Sequence, residues 1–121
     1  MEDFGKYLRE KCMGFAVNIV CLYKMLIEEK KEYVLSKQLL RSGTSFGANL
    51  VEAQHGVSEK DFLSKIYISL KETAETEYWL ELLHKTNYIT TDEYKNIAAE
   101  CNELYRMLNS ITKTIKQKLN T

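Results

Sequence analysis

The sequence contains no proline and only five glycines in 121 residues. Because proline interrupts helices and glycine weakens them, this shortage favours long continuous helices. The chain also lacks a long apolar run: the stretch 12–23 is too short to span a bilayer and contains Asn18. No basic and then apolar leader precedes the first charged residues, so we expect a soluble cytoplasmic protein.

The chain has no net charge and no cysteine framework. Its 17 Lys and Arg residues balance 17 Asp and Glu residues, so no overall field attracts it to nucleic acid or to an anionic membrane. Cys12, Cys21 and Cys101 are odd in number and share no CxxC spacing, which argues against disulfides and a structural zinc site. We predict three buried free thiols and no cofactor or metal.

Four helical segments follow from apolar residues that recur every three or four positions. The first two predicted helices run from about Asp3 to Glu29 and from about Tyr33 to His55. The third opens at residues 58–61 and continues to about Lys85, and the fourth opens at residues 90–93 with an apolar seam that reaches Ile115. Ser58 and Thr90 each precede an acidic residue by three positions, which is typical of a helix start. Short connections make neighbouring helices antiparallel, so we predict an all-α, up-down-up-down four-helix bundle formed by residues 1–121 as one domain.

The segment 41–53 combines a helical apolar period with two glycines, Gly43 and Gly47. Each glycine inside a helix costs roughly 0.5–1 kcal/mol relative to alanine. The missing side chains therefore predict a close backbone approach, and we expect this segment to be the most tightly packed part of the bundle.

Helices 2 and 3 each carry a second apolar stripe, whereas a four-helix monomer needs only one per helix. The second stripes include Leu40, Gly47 and Val51 on helix 2, and Ile68, Trp79, Leu82 and Leu83 on helix 3. An unneeded apolar stripe is typical of a subunit interface, so we predict a homo-oligomer assembled through these residues. The alternative is a helix packed between two neighbours within one monomer.

A polar stripe lies between the two apolar stripes of helix 2 and consists of Arg41, Ser45, Asn49 and Glu52. Glu77 falls on the apolar side of helix 3, level with Arg41 in an antiparallel pair, so we predict an Arg41–Glu77 ion pair. Ser45 and Asn49 are expected to bond to neighbouring helices or subunits. This network either fixes helix register and subunit pairing or lines a binding surface.

Two Glu-x-x-His pairs, Glu52–His55 and Glu81–His84, match part of the ligand pattern of di-iron bundles. Their distances from the turn between helices 2 and 3 differ by about twenty residues, or roughly 30 Å, too far for two adjacent metals. We therefore expect no catalytic residue. The alternative function is a metal-dependent or small-ligand-dependent enzyme that uses polar residues of the bundle.

The last part of helix 4 is basic and free of acidic residues: it carries Arg106, Lys113, Lys116 and Lys118. These four side chains are candidates for contact with RNA or another nucleic acid. A solvated helix end, where positive charge is favourable, explains them equally well.

The helix 2 pattern Arg-Ser-x-x-Ser-x-x-Ala-Asn-x-x-Glu, residues 41–52, resembles a signature of the bacterial 23S rRNA intervening-sequence protein family. Further matches cover nearly the whole chain: Ser58, Lys60, Asp61-Phe62, Glu72, Glu75, Glu77, Trp79-Leu80 and Asn87-Tyr88-Ile89. The helix 2 motif is fairly specific, and the helix 3 glutamates are less so alone.

The resemblance implies a four-helix bundle that commonly assembles as a ring of five and has no established enzymatic activity. A distantly similar, basic branch serves diversity-generating retroelements, where it binds the reverse transcriptase and nucleic acid. The present chain departs from that branch by its zero net charge. We expect a non-enzymatic homo-oligomeric scaffold or adaptor, a pentamer by resemblance, with a protein or ribonucleoprotein partner and no membrane association.

Overall fold

The computed structural model describes residues 2–120, with the side chains of residues 4–120. This part of the chain forms four helices and contains no strand: α1 is Glu2–Glu28, α2 is Leu35–Gln54, α3 is Glu59–Lys85 and α4 is Thr91–Asn120. The predicted all-α four-helix fold is confirmed. None of these helices, over the described residues, is long and apolar enough to cross a membrane.

Contacts between helices show that neighbours in sequence run antiparallel. The pairs that establish this are Gly5–Gln54 and Ile19–Gly43 for α1–α2, Phe46–Ser69 and Ser42–Thr76 for α2–α3, Glu59–Lys118 and Thr73–Cys101 for α3–α4, and Lys11–Glu103 and Asn18–Glu100 for α1–α4. In each of these four pairs the residue number falls on one helix as it rises on the other. The helices therefore surround one core in the order α1, α2, α3, α4.

The core contains one face of each helix. Its fully buried larger side chains are Leu8, Phe15, Ile19, Leu26, Leu39, Phe46, Leu50, Ile66, Leu80, Leu83, Leu104 and Leu108. Leu83 was assigned from the sequence to the second stripe of helix 3, and this assignment is wrong because the side chain is fully buried inside the protomer. The prediction of three buried thiols is also wrong in one case: Cys12 and Cys101 are buried, but Cys21 is exposed.

Capping side chains set the starts of the last three helices. Ser58 accepts a hydrogen bond from the backbone N–H of Asp61, and Thr90 and Glu93 bond to each other's backbone N–H groups, as the capping pattern predicts. The second helix begins at Leu35, two residues later than expected. The carboxylate of Glu32 accepts bonds from the backbone N–H groups of residues 34–36 and therefore acts as the cap of α2.

The two glycines of α2 bring it close to α1, as predicted. A Cβ atom added at Gly43 would lie 2.9 Å from two side-chain carbons of Ile19, and one added at Gly47 would lie 3.3 Å from the Cβ of Cys12. On the opposite side of α2, the hydroxyl of Ser69 donates to the carbonyl of Phe46 at 2.8 Å. The second helix is therefore packed closely between α1 and α3 within one protomer.

Candidate interaction surfaces

An ion network joins the outer sides of α2 and α3. The guanidinium of Arg41 contacts the carboxylates of Glu72, at 3.3 Å, and Glu75. Glu75 also accepts a hydrogen bond from the indole N–H of Trp79 at 3.0 Å. Two carboxylates share one guanidinium, so these four side chains, which we call the Arg41 network, carry one net negative charge.

The predicted Arg41–Glu77 ion pair is wrong. On an ideal helix Glu77 lies about 140–160° around the axis from Glu72 and Glu75, because successive residues turn by about 100°. The prediction places Glu77 at the correct level along the axis of α3, but in the wrong direction around that axis. The glutamates that face α2 are Glu72 and Glu75, whereas Glu77 lies on the α4 side of α3, close to Cys101.

Glu77 is partly buried and has no ion-pair partner among the described side chains. Burial raises the pKa of its carboxyl group above the ordinary value, because a charged carboxylate loses solvation there. Burial also raises the pKa of Cys101 to about 12, and the negative charge of Glu77 adds to that effect. Glu77 is consequently a site of local electrostatic cost in the fold.

We expected the remaining residues of the polar stripe to contact neighbouring helices, but among the described residues only Glu52 does so. Ser45 donates to the carbonyl of Ser42, and Asn49 donates to the carbonyl of Ser45, so both bond within α2. Short polar side chains inside a helix commonly bond to the carbonyl three or four residues earlier. Glu52 is exposed and lies 3.7 Å from the ammonium of Lys65 on α3.

A partly apolar surface, which we call the central outer face, covers the outside of α2 and the adjoining sides of α1 and α3. Its residues are Met13 and Val17 on α1, Leu40, Thr44, Gly47, Ala48 and Val51 on α2, and Ile68 and Trp79 on α3. Met13 is 59% exposed and Val17 is 53% exposed, whereas Leu40, Val51 and Trp79 are partly buried. The predicted interface residues of α2 and those of α3 are separated on this surface by the Arg41 network, which joins the two helices.

The four basic residues of α4 differ in their surroundings. Arg106, Lys113 and Lys116 are exposed on the outer side of α4. Lys118 instead contacts Glu59 at the start of α3, with its ammonium 2.6 Å from the carboxylate. Three of the four predicted nucleic-acid contacts thus remain on one open surface.

An open cleft of about 1220 Å³ lies at the end of the bundle where α1 begins and α2 turns into α3. We call it the end cleft. Its apolar walls come from all four helices and consist of Phe4, Leu8, Leu50, Ala53, Phe62, Ile111 and Ile115. Lys6, Arg9 and Glu59 are its charged lining residues.

The two histidines take different positions. His84 stacks on the ring of Tyr94, with centroids 4.6 Å apart, and its Nε2 lies 3.1 Å from the hydroxyl of Thr91. It therefore connects the end of α3 to the start of α4. His55 is exposed and lines the end cleft. Among residues 4–120, no three His, Cys, Asp or Glu side chains converge as metal ligands would.

Sequence reasoning missed several surface residues that the structure brings together. Glu72 and Glu75 match the family pattern, but they are not assigned to Arg41 from the sequence. Met13 and Val17 were not assigned to any surface, although their spacing of four places them on one side of α1. The end cleft had no signal in the sequence, since its lining residues come from four separate segments.

Comparisons with known proteins agree with this architecture. The family model described as "23S rRNA-intervening sequence protein" matches residues 8–110. A solved structure of a protein with unknown function, from the S23 ribosomal protein family of Bacteroides thetaiotaomicron VPI-5482, superimposes with a TM-score of 0.89. The two sequences are 51% identical over 90% of this chain and 97% of that chain. A comparison with curated proteins finds no match.

Proposed function

The chain belongs to the family of 23S rRNA-intervening sequence proteins, and we propose that it is a non-enzymatic, homo-oligomeric scaffold that presents binding surfaces to a protein or ribonucleoprotein partner. The observation that carries this proposal is the central outer face. It exposes the apolar side chains of Met13, Val17 and Ile68 on adjacent helices, next to Leu40 and Trp79, which pack partly buried against the core of the protomer. The ring size of five rests on the family resemblance alone.

The composition of the central outer face suits contact between copies. Thr44 and Ala48 are small, so a second helix can approach this side of α2 closely, whereas Gly47 already packs against Cys12 of α1 within the protomer. Met13, Ile68 and Trp79 add larger apolar side chains to the same face, and Met and Trp are enriched in protein interfaces. Burying such a surface removes apolar area from water at roughly 25 cal/mol per Å².

The Arg41 network lies at the border of this face and supplies directionality. Its net negative charge attracts a cationic group from a neighbouring copy. A mispaired copy would leave the carboxylates of Glu72 and Glu75 facing apolar or acidic groups, which is unfavourable. In this proposal the network therefore determines how neighbouring copies are aligned more than how tightly they bind.

Oligomerisation is tested by molar mass in solution at micromolar concentration, measured by light scattering after size separation. Val51→Glu and Ile68→Glu place a charge in the centre of the proposed interface and should reduce the mass to that of one protomer. Asn102→Glu adds the same charge to the exposed side of α4 and should leave the mass unchanged. A wild-type protein with the mass of one chain would disprove the proposal.

Contact with RNA is a second candidate function, favoured by the exposed basic side of α4. We propose that Arg106, Lys113 and Lys116 bind phosphates of the partner RNA. Replacing all three by Gln should weaken binding to a 23S rRNA fragment and reduce the slope of log affinity against log salt by about 2–3. The control, Lys24, Lys30 and Lys37 to Gln, removes the same charge elsewhere and should leave the slope nearly unchanged.

A further inference from the structure

We propose that the end cleft is a docking groove for an acidic amphipathic helix of a partner protein. The cleft is separate from the central outer face, so this inference goes beyond the proposed assembly. Polar contacts between α1 and α4 occur at Lys11–Glu103 and Asn18–Glu100, in the middle of the bundle. The cleft lies beyond them, towards the start of α1.

The volume of the cleft fits a helix better than a metabolite. Sites for small ligands usually measure about 300–1,000 Å³, and this open cleft measures about 1220 Å³. Two turns of α-helix are about 11 Å long and 10–12 Å wide, which corresponds to roughly 850–1,200 Å³. A helix of about two turns is therefore comparable in size with the cleft.

The walls of the cleft provide an apolar surface for the apolar side of the partner helix. Leu8, Leu50 and Ala53 form buried floor positions, and Phe62, Ile111 and Ile115 are only partly buried. Phe4 at the border is 44% exposed. An amphipathic helix covers such a groove with side chains spaced at i, i+3, i+4 and i+7.

The charged lining residues determine which charge the polar side of the partner helix should carry. Lys6 and Arg9 line the cleft and have no ion-pair partner among the described side chains. The acidic lining residue Glu59 is already paired with Lys118. Among the described lining side chains the available charge is positive, so the groove favours a helix whose exposed side carries Asp or Glu.

The test uses two synthetic helical peptides that share the same Leu and Ile positions. One carries Glu on its polar side and the other carries Lys. We expect the Glu peptide to bind the full chain at least tenfold more tightly in a fluorescence-anisotropy titration. The double substitution Lys6→Glu and Arg9→Glu should remove or invert that preference, whereas Lys24→Glu with Lys37→Glu, the same charge change away from the cleft, should leave it intact.

Ser110→Trp provides an independent test because Ser110 lines the cleft and is exposed, so a large side chain there should obstruct the groove without disturbing the core. It should abolish peptide binding, while Asn102→Trp elsewhere on α4 should not.

Equal affinity for both peptides, no binding at millimolar concentration, or binding unaffected by Ser110→Trp would each overturn the proposal. Binding of decanoate without the Glu peptide would identify a small amphiphile instead, and self-association lost in Ser110→Trp would identify a second copy; either result also overturns it.

Discussion

Arg41 on α2 and Glu75 on α3 form an ion pair at the outer surface of the bundle, and Glu75 holds the indole N–H of Trp79 with the same oxygen. This relationship connects the motif of α2 to the aromatic side chain of the central outer face. It also locates the acidic partner of Arg41 on the side of α3 that faces α2, away from Glu77.

A double-mutant cycle measures this relationship directly. Arg41→Gln and Glu75→Gln, singly and together, should give a coupling free energy of about 0.2–1 kcal/mol, because both side chains are substantially exposed and water screens the pair. The same cycle with Glu77→Gln should give a coupling near zero. Urea unfolding supplies the free energies, and a larger coupling to Glu77 than to Glu75 would contradict the structure.

Glu77→Gln should stabilise the protein at neutral pH. The pKa of Glu77 is raised in the folded state, so the unfolded chain ionises first and stability falls as pH rises towards the folded pKa. Gln cannot ionise, so we expect thermal unfolding a few degrees higher at neutral pH and no difference below the unfolded pKa of about 4.3. Glu81→Gln, at an exposed position of the same helix, is the control.

Glu32→Ala should destabilise the protein by about 0.5–2 kcal/mol, the usual effect of losing a helix cap. Burial acts to raise the pKa of Glu32, but hydrogen bonds from the backbone N–H groups of Leu35, Ser36 and Val34 lower it overall. The stabilisation is therefore present above the unfolded pKa of about 4.3 and disappears as pH falls through the lower folded pKa.

Urea unfolding at neutral and acid pH checks this prediction for Glu32. Exposed Glu29 lies three residues earlier in the same turn and provides the matched control, Glu29→Ala. If both variants lose the same stability at neutral pH, the carboxylate of Glu32 does not cap α2.

Two glycine substitutions should have opposite effects on stability. Gly43→Ala places a methyl group 2.9 Å from Ile19 and should cost about 1–3 kcal/mol. Gly14→Ala meets no atom within 4 Å and should stabilise α1 by about 0.5–1 kcal/mol. In an Ile19→Ala background, Gly43→Ala should cost little, since the obstructing side chain is gone. A large cost in that background would mean that backbone, and not Ile19, limits the space.

The fold could be predicted because its determinants are local in sequence. Helical periodicity, the capping residues Ser58 and Thr90, and the absence of proline gave four helices whose ends differ from the structure by few residues. The close approach at Gly43 and Gly47 followed from the cost of glycine in a helix. These signals act within one or two turns and need no knowledge of tertiary geometry.

The candidate surfaces were less predictable because they depend on rotation about helix axes. Successive residues of α3 turn by about 100°, so residues level with Arg41 point in different directions, and the level alone does not distinguish Glu77 from Glu72 and Glu75. The burial of Leu83 and the exposure of Cys21 follow from the same uncertainty. The end cleft depends on how four helix ends diverge, which no local pattern encodes.

Because the three thiols differ in accessibility, the chain has one natural position for labelling. Burial raises the pKa of Cys12 to about 12, and that of Cys101 equally, so neither supplies thiolate at neutral pH while the bundle is folded. Cys21 alone among the three lies at the surface. A maleimide dye should therefore couple to one atom per protomer, Cys21 Sγ, and resonance energy transfer between labelled copies could follow subunit exchange without any engineered cysteine.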